Sequence, residues 1–145
     1  MTADDERHLR RAIALAAAAR EAGEQPFGSL LVGPGGGTLA EEHNTAIADA
    51  DISAHPELKL ARWAARELDP RTAAATTMYT SCHPCAMCAG AIARSGLGRV
   101  VFALSAEQLA GLKPPGSPAP GDAPVHYEGP ALSEEASAPV AGFYG

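Results

Sequence analysis

Two short motifs in the chain carry side chains that can bind a metal ion and move protons. The first is His55-Pro56-Glu57, and the second is Pro84-Cys85-Ala86-Met87-Cys88. One imidazole and two thiolates make three protein ligands, one fewer than a closed structural zinc site uses, so the fourth tetrahedral position is left for water. Glu57 is close enough to the ligand His55 to handle the protons of that water while remaining off the metal. The two motifs together predict a catalytic zinc site and a hydrolytic reaction.

A third cysteine beside the second motif, Cys82, leaves alternatives open. The chain has three cysteines, an odd number clustered too tightly to cross-link a fold, which indicates metal binding in a reducing compartment. Zinc held by all three thiolates and His55 would give a closed Cys₃His site. A redox Cys-x-x-Cys is a further alternative, but it leaves His-Pro-Glu unexplained. We expect zinc to be held by His55, Cys85 and Cys88, with Cys82 packed as a small buried side chain at a strand end.

The overall composition is that of a globular protein. The chain has 145 residues, of which 46% are hydrophobic and 19% charged, so we expect one domain over residues 1–145. No apolar run approaches the ~20 residues that span a bilayer. The charged N-terminal segment precedes only a short alanine-rich run, without the apolar region and cleavage site of a signal peptide. We therefore expect a cytoplasmic protein that does not associate with membranes.

The charge balance bears on the kind of substrate. The formal net charge is −6, whereas proteins that bind nucleic acids usually carry a basic patch, because phosphate contacts dominate their affinity. A small-molecule substrate is therefore favoured over a nucleic acid.

Hydrophobic periodicity and turn residues predict the elements that must position the two motifs. Helices are expected over residues 4–22, 55–68 and 85–95, after a cap at Ser105, and from about 133, and strands over 27–32, 38–43, 76–81, 99–104 and 125–127. The glycine-rich segment 33–37 is expected to be a hairpin turn, and residues 111–124 to be irregular. This order predicts an α/β fold with helices flanking one sheet. Both metal motifs then start helices, where free N–H groups favour thiolates and oxyanions.

The chain resembles the cytidine deaminase-like superfamily, on the branch that holds guanine deaminases, fungal cytosine deaminases and tRNA adenosine deaminases. The resemblance covers most of the chain. It rests on the segments Pro26-Phe27-Gly28, Asn44, Asp51-Ile52-Ser53-Ala54-His55-Pro56-Glu57, Thr80 to Ile92, and Arg99-Val100-Val101-Phe102. It implies a three-layer α/β/α fold with a central mixed sheet of about five strands, and one Zn²⁺ per subunit. It also implies a homodimer.

The resemblance further implies roles for individual residues. The metal ligands would be His55, Cys85 and Cys88, the catalytic residue would be Glu57, and the substrate-binding residues would be Phe27, Asn44, Ala54, Ser81, Cys82 and His83. Asn44 would hydrogen-bond the base or its attached sugar, and Phe27 would line the base or stack on it. Backbone groups near Ala54 and from Ser81 to Cys82 would contact the ring edge.

Two features of the chain leave the contacts with substrate open. His83 stands where the family commonly has glutamate, so it is either part of the pocket or a solvated loop histidine. The C-terminal segment resembles tails that fold near the active site in the same branch. Phe143 or Tyr144 would then either cover the substrate or anchor the last helix.

These observations together predict a zinc-dependent aminohydrolase of purine or pyrimidine metabolism. We expect it to deaminate a free nucleobase or a close heterocyclic analogue, guanine-like or cytosine-like, because Pro26-Phe27-Gly28 is similar to the free-base members of the branch. Glu57 would take a proton from the attacking water, give it to the ring nitrogen beside the amine-bearing carbon, and later protonate the departing ammonia. The alternatives are a tRNA adenosine deaminase and a non-catalytic module that zinc stabilises.

Overall fold

The secondary structure largely follows the predicted order. A computed structural model describes residues 1–118, 121 and 123–145 of the chain. The helices are α1 (Ala3–Glu21), α2 (Pro56–Glu67), α3 (Pro70–Ala74), α4 (Ala86–Ser95), α5 (Ala106–Leu112) and α6 (Ser133–Ser137). The strands are β1 (Gly28–Val32), β2 (Thr38–His43), β3 (Thr77–Cys82) and β4 (Arg99–Leu104). The segment 111–124, predicted to be irregular, begins inside α5 and includes residues 119, 120 and 122, which lie outside the described residues.

The described residues form one mixed sheet with the strand order β2-β1-β3-β4. The strand β1 is antiparallel to both β2 and β3, and β3 is parallel to β4. The sheet therefore has four strands rather than about five, because residues 125–127 form no strand. Their side chains are exposed, and Tyr127 is 87% exposed. A three-residue segment gains little from an extended conformation when no neighbouring strand pairs with it.

Helices cover both faces of the sheet, which confirms the predicted α/β/α layering. On one face, α1 packs against Leu30, Val32, Tyr79 and Val101. On the other face, a second cluster joins β1 and β3 to α2 and includes Leu31, Leu60, Ala64 and Met78, with Trp63 and Ile92 packed against it. Because successive side chains of a strand point to opposite faces, the fully buried β1 supplies both layers of the core.

Local signals explain where several helices begin. Thr2 and Asp5 form a capping box at the start of α1. Ser105 caps α5, as predicted, and forms a second capping box with Gln108. The sequence reading did not predict α3, which starts at Pro70, directly after its N-cap Asp69. Proline ends the preceding helix but also suits the first position of a new one. No helix in the described part of the chain combines the length and apolar character that a bilayer crossing requires.

Candidate active site

The N-termini of α2 and α4 bring the three expected metal ligands together. His55 is the N-cap of α2 and has an extended backbone, as the following proline favours. Cys85 is the N-cap of α4, and Cys88 lies in its first turn. Nδ1 of His55 lies 3.6 Å from Sγ of Cys85 and 3.4 Å from Sγ of Cys88. The ligand atoms of the three residues all lie within 4.8 Å of one another.

This donor set fits a zinc ion. Tetrahedral zinc with bonds of about 2.0–2.1 Å to nitrogen and about 2.3 Å to sulfur separates the two kinds of ligand atom by about 3.5 Å, close to the distances found here. Burial lowers the pKa of His55, which keeps the imidazole in its neutral, metal-binding form. Burial and the nearby Glu57 raise the pKa of Cys88, so a thiolate there requires a compensating cation. A bound metal ion supplies that charge.

Glu57 lies in the first turn of α2, beside the ligand group. The residue is only 7% exposed, and its Oε1 lies 3.5 Å from Oγ of Ser29. Burial raises the pKa of this carboxyl, while hydrogen bonds from its own backbone N–H, Cys88 and Ser29 act in the opposite direction. A carboxyl with a raised pKa holds a proton at a higher pH than an ordinary glutamate does, which suits a group that must take up and release protons.

A cavity of about 1290 Å³ opens beside the ligand group, and His55, Glu57 and Cys85 form part of its wall. The rest of the wall comes from Arg20 of α1 and from three stretches: Gln25 to Phe27, the loop between β2 and α2, and the ends of β3, β4 and α5. Many of the lining side chains are apolar, and a few polar groups converge on them. This arrangement is typical of small-molecule sites.

The structure brings four of the six expected substrate-binding residues to the cavity, namely Phe27, Asn44, Cys82 and His83. Asn44 is only 1% exposed, and its Oδ1 accepts a hydrogen bond from the N–H of Ala46. Its Nδ2 has no hydrogen-bond partner within the described residues. A buried amide N–H without an acceptor lowers the stability of the fold. The NH₂ group of Asn44 is therefore a donor available to a ligand.

Ala54 and Ser81 are buried and do not line the cavity. Both backbone groups of Ala54 form hydrogen bonds within the loop between β2 and α2. Its N–H donates to the carbonyl of Asp51, and its carbonyl accepts from the N–H of Thr45. The hydroxyl of Ser81 accepts from the N–H of Gly28. Contacts of Ala54 and Ser81 with a substrate stay predictions.

His83 and the two C-terminal aromatic residues lie at the surface. The ring of His83 packs edge-on against Phe102, with ring centroids 4.8 Å apart. Phe143 and Tyr144 contact each other in the same manner and do not line the cavity. His83 is thus both exposed and part of the cavity wall.

Sequence reasoning missed two buried polar residues near the site, Ser29 and Glu24. Ser29 is a fully buried hydroxyl in the otherwise apolar core of β1, and it lies near Glu57. Glu24 lies just after α1, and its carboxylate accepts hydrogen bonds from two backbone N–H groups of the loop between β2 and α2. A polar residue in a strand that is otherwise apolar is the signal that could have identified Ser29.

Comparison with known proteins defines the class. Residues 2–104 match the family described as the cytidine and deoxycytidylate deaminase zinc-binding region, and the chain belongs to this family. It is 32% identical to a probable cytosine deaminase of Schizosaccharomyces pombe, over 94% of this chain and 90% of that protein. It is 37% identical to a tRNA-specific adenosine deaminase of Haemophilus influenzae, over 70% of this chain and 58% of that protein.

The fold comparison agrees with the family. The X-ray structure of a guanine deaminase from Bacillus subtilis matches with a TM-score of 0.73 and 29% identity, over 97% of this chain and 92% of that one. The predicted resemblance, the α/β deaminase fold and zinc as the metal are therefore confirmed. The relatives carry the names of enzymes with different substrates, so the choice of substrate rests on the cavity of this chain.

Proposed function

We propose that the chain is a zinc-dependent aminohydrolase that replaces the ring amine of a free nucleobase, or of a close heterocyclic analogue, by oxygen and releases ammonia. The observation that carries the proposal is the position of Glu57. This buried carboxyl shares a cavity wall with the ligand group of His55, Cys85 and Cys88. Guanine-like and cytosine-like bases are the favoured substrates, since relatives from B. subtilis and S. pombe carry the names of deaminases for those bases.

The proposed chemistry assigns separate tasks to the metal and the protein. Zinc, when held by His55, Cys85 and Cys88, supplies Lewis acidity and lowers the pKa of water to around 7. Glu57 accepts a proton from the attacking water and gives it to the ring nitrogen beside the amine-bearing carbon. The same carboxyl then carries the second proton of the water to the amine, which leaves as ammonia. The raised pKa of Glu57 supports both transfers, because the carboxyl exchanges protons closer to neutral pH.

Two cavity residues are proposed to bind the base. Asn44 supports this role because its buried Nδ2 lacks a partner within the described residues, and a carbonyl oxygen or ring nitrogen of a base supplies an acceptor. Phe27 is half-buried in the wall and offers an apolar ring for the face of the base.

The test is ammonia release by the zinc-loaded protein from cytosine, guanine, adenine, their nucleosides and close analogues. We expect turnover of at least one free base, and a loss of about 10²–10⁴-fold in kcat in Glu57→Ala with the zinc content retained. Activity that survives Glu57→Ala would contradict the role of this residue. A protein that binds zinc and releases ammonia from no compound of the panel would instead be a zinc-stabilised module.

Deamination of adenosine in tRNA is a second candidate, which the identity to the H. influenzae enzyme favours. The net charge of −6 argues against it, because nucleic-acid affinity depends on phosphate contacts with basic side chains. Gel-shift assays with tRNA at low salt decide between the two candidates. Binding followed by inosine formation would replace the free-base proposal, whereas no binding at low salt would exclude the tRNA activity.

We further propose that the chain acts in the cytoplasm as a homodimer of single-domain subunits, each with one zinc ion. Light scattering is expected to give twice the mass of one chain, and metal analysis one zinc per chain. A fully active monomer would contradict the proposed dimer but not the proposed reaction.

A further inference from the structure

Glu24 has a buried carboxylate, and it forms no ion pair in the described part of the chain. It is only 9% exposed. Its Oε2 accepts from the N–H of Ile47 at 3.0 Å, and its Oε1 accepts from the N–H of Ala48 at 2.7 Å. Charge-assisted hydrogen bonds of this length are among the strong ones in proteins. The carboxylate therefore holds one specific point of the loop between β2 and α2.

The backbone of Glu24 is itself fixed by the end of α1. Gly23 has a left-handed conformation, with φ of 84°. Its N–H donates to the carbonyl of Arg20, and the N–H of Glu24 donates to the carbonyl of Ala19. These two bonds form the Schellman motif that ends many helices. The carboxylate is thus attached to a rigid element of the core.

Glu24 lies between two walls of the cavity. The residues directly after it, Gln25 to Phe27, form one wall. The loop that its carboxylate holds forms another wall, which includes Asn44, Ile47 and Ile52. Ile47 is 62% exposed and Ile52 is 88% exposed, so core packing contributes little to the position of this loop.

Other hydrogen bonds hold the start of the same loop. The ammonium of Lys59, on α2, donates to the carbonyl of His43 at 2.9 Å and to the hydroxyl of Thr45 at 3.0 Å. The N–H of Asn44 donates to the carbonyl of Phe27. Beyond Thr45, the two bonds to Glu24 are the hydrogen bonds that, among the described residues, join this loop to the end of α1.

We propose that Glu24 is a positioning residue that sets the separation of the two cavity walls and thereby the fit of the substrate ring. The inference rests on the proposed deaminase function. Because Glu24 does not line the cavity, its effect passes through Ile47, Ala48 and the residues that follow them. Loosening this connection weakens the binding of the base and leaves the metal ligands and Glu57 in place.

The test compares Glu24→Gln with Glu21→Gln in the zinc-loaded protein. The amide is nearly isosteric, but its NH₂ group cannot accept a hydrogen bond, so one of the two loop N–H groups loses its acceptor. We expect KM for the best substrate to rise about tenfold, kcat to stay within about threefold, and the zinc content to stay unchanged. Glu21→Gln removes the same charge from an exposed position at the end of α1 and is expected to change neither constant.

A second measurement does not depend on turnover. Backbone amide exchange at Ile47 and Ala48 is expected to be at least about tenfold faster in Glu24→Gln than in the parent protein, with the core strands unchanged. Unchanged exchange at these amides, or a fall in kcat with loss of zinc, would overturn the inference. If the parent protein deaminates no compound of the panel, the proposed function fails, and amide exchange alone then decides whether Glu24 holds the loop.

Discussion

Ser29 donates a hydrogen bond to Thr80 across the sheet, with 2.7 Å between the two hydroxyl oxygens. The residues are direct partners in the register of β1 and β3, and both are buried. The hydroxyl of Ser29 also lies 3.5 Å from Oε1 of Glu57, but it has one proton and serves one acceptor at a time. When Thr80 donates to Ser29 instead, the proton of Ser29 becomes available to the charged carboxylate of Glu57.

The first prediction is that Ser29→Ala lowers kcat about tenfold and leaves KM and zinc content unchanged. The substitution removes the hydroxyl that contacts the carboxyl of Glu57, and a hydrogen bond to a charged group contributes about 1.5–3 kcal/mol when well formed. Steady-state kinetics with metal analysis measures the effect. Ser95→Ala is the matched control, because Ser95 is also buried but donates to the carbonyl of Ile92 at the end of α4. Equal kcat values in the parent and Ser29→Ala would show that the contact between Ser29 and Glu57 does not contribute to the reaction rate.

The second prediction concerns which cysteines hold the metal. Cys82 lies at the end of β3 and is not part of the ligand group, whereas Cys85 is. We therefore expect Cys82→Ser to retain about one zinc per chain and Cys85→Ser to lose most of it, because a hydroxyl is a much weaker zinc ligand than a thiolate. Metal analysis after dialysis against a mild chelator measures both. Loss of zinc from Cys82→Ser would point instead to a closed Cys₃His site.

The zinc motifs and the central elements could be predicted from the sequence because their signals are local. Pro56 favours an extended His55 and a helix directly after it, and the spacing of Cys85 and Cys88 places both thiols on one helical turn. The capping box at Ser105 is likewise a property of four consecutive residues. Such features form wherever the segment lies in the fold.

The parts that could not be predicted are those whose structure depends on contacts between distant segments of the chain. Residues 125–127 have the composition of a strand, but the described sheet offers them no pairing, so their apolar side chains stay exposed. In the sequence, Glu24 is an ordinary charged residue after a helix. Only its hydrogen bonds from the N–H groups of Ile47 and Ala48 indicate the proposed role in positioning the loop.

The third prediction is that Gly28→Ala destabilises the fold by about 1–3 kcal/mol, as overpacking in a core does. A Cβ atom at Gly28 would lie 2.5 Å from Cβ of Leu15 and 2.6 Å from the backbone nitrogen of Ala16, so α1 would have to move away from β1. Thermal and urea unfolding measure the loss. Gly35→Ala is the control, because nothing lies within 4 Å of a Cβ at that turn position. Similar unfolding curves for the two variants would show that α1 can shift at no cost.

Asp5 joins the start of α1 to the sheet through a buried carboxylate. It accepts a hydrogen bond from the hydroxyl of Tyr79 at 2.6 Å and two from the guanidinium of Arg99 at 3.0 and 2.9 Å. The bonds from Arg99, then those from Tyr79 and the N–H of Thr2, hold the pKa of Asp5 well below its ordinary value of 3.8. The charged form is therefore favoured in the folded state.

The fourth prediction follows from the sign of this shift. A carboxyl whose pKa is lowered by folding stabilises the fold fully above its unfolded pKa, and the stabilisation is lost as the pH falls below about 3.9 toward the folded value. Asp5→Asn is thus expected to lower the melting temperature at pH 7, and the difference from the parent is expected to shrink between pH 4 and pH 2. Asp4→Asn is the control, since its exposed pair with Arg7 contributes little at either pH. A difference for Asp5→Asn that stays constant down to pH 2 would mean that the ion pair with Arg99 does not stabilise the fold.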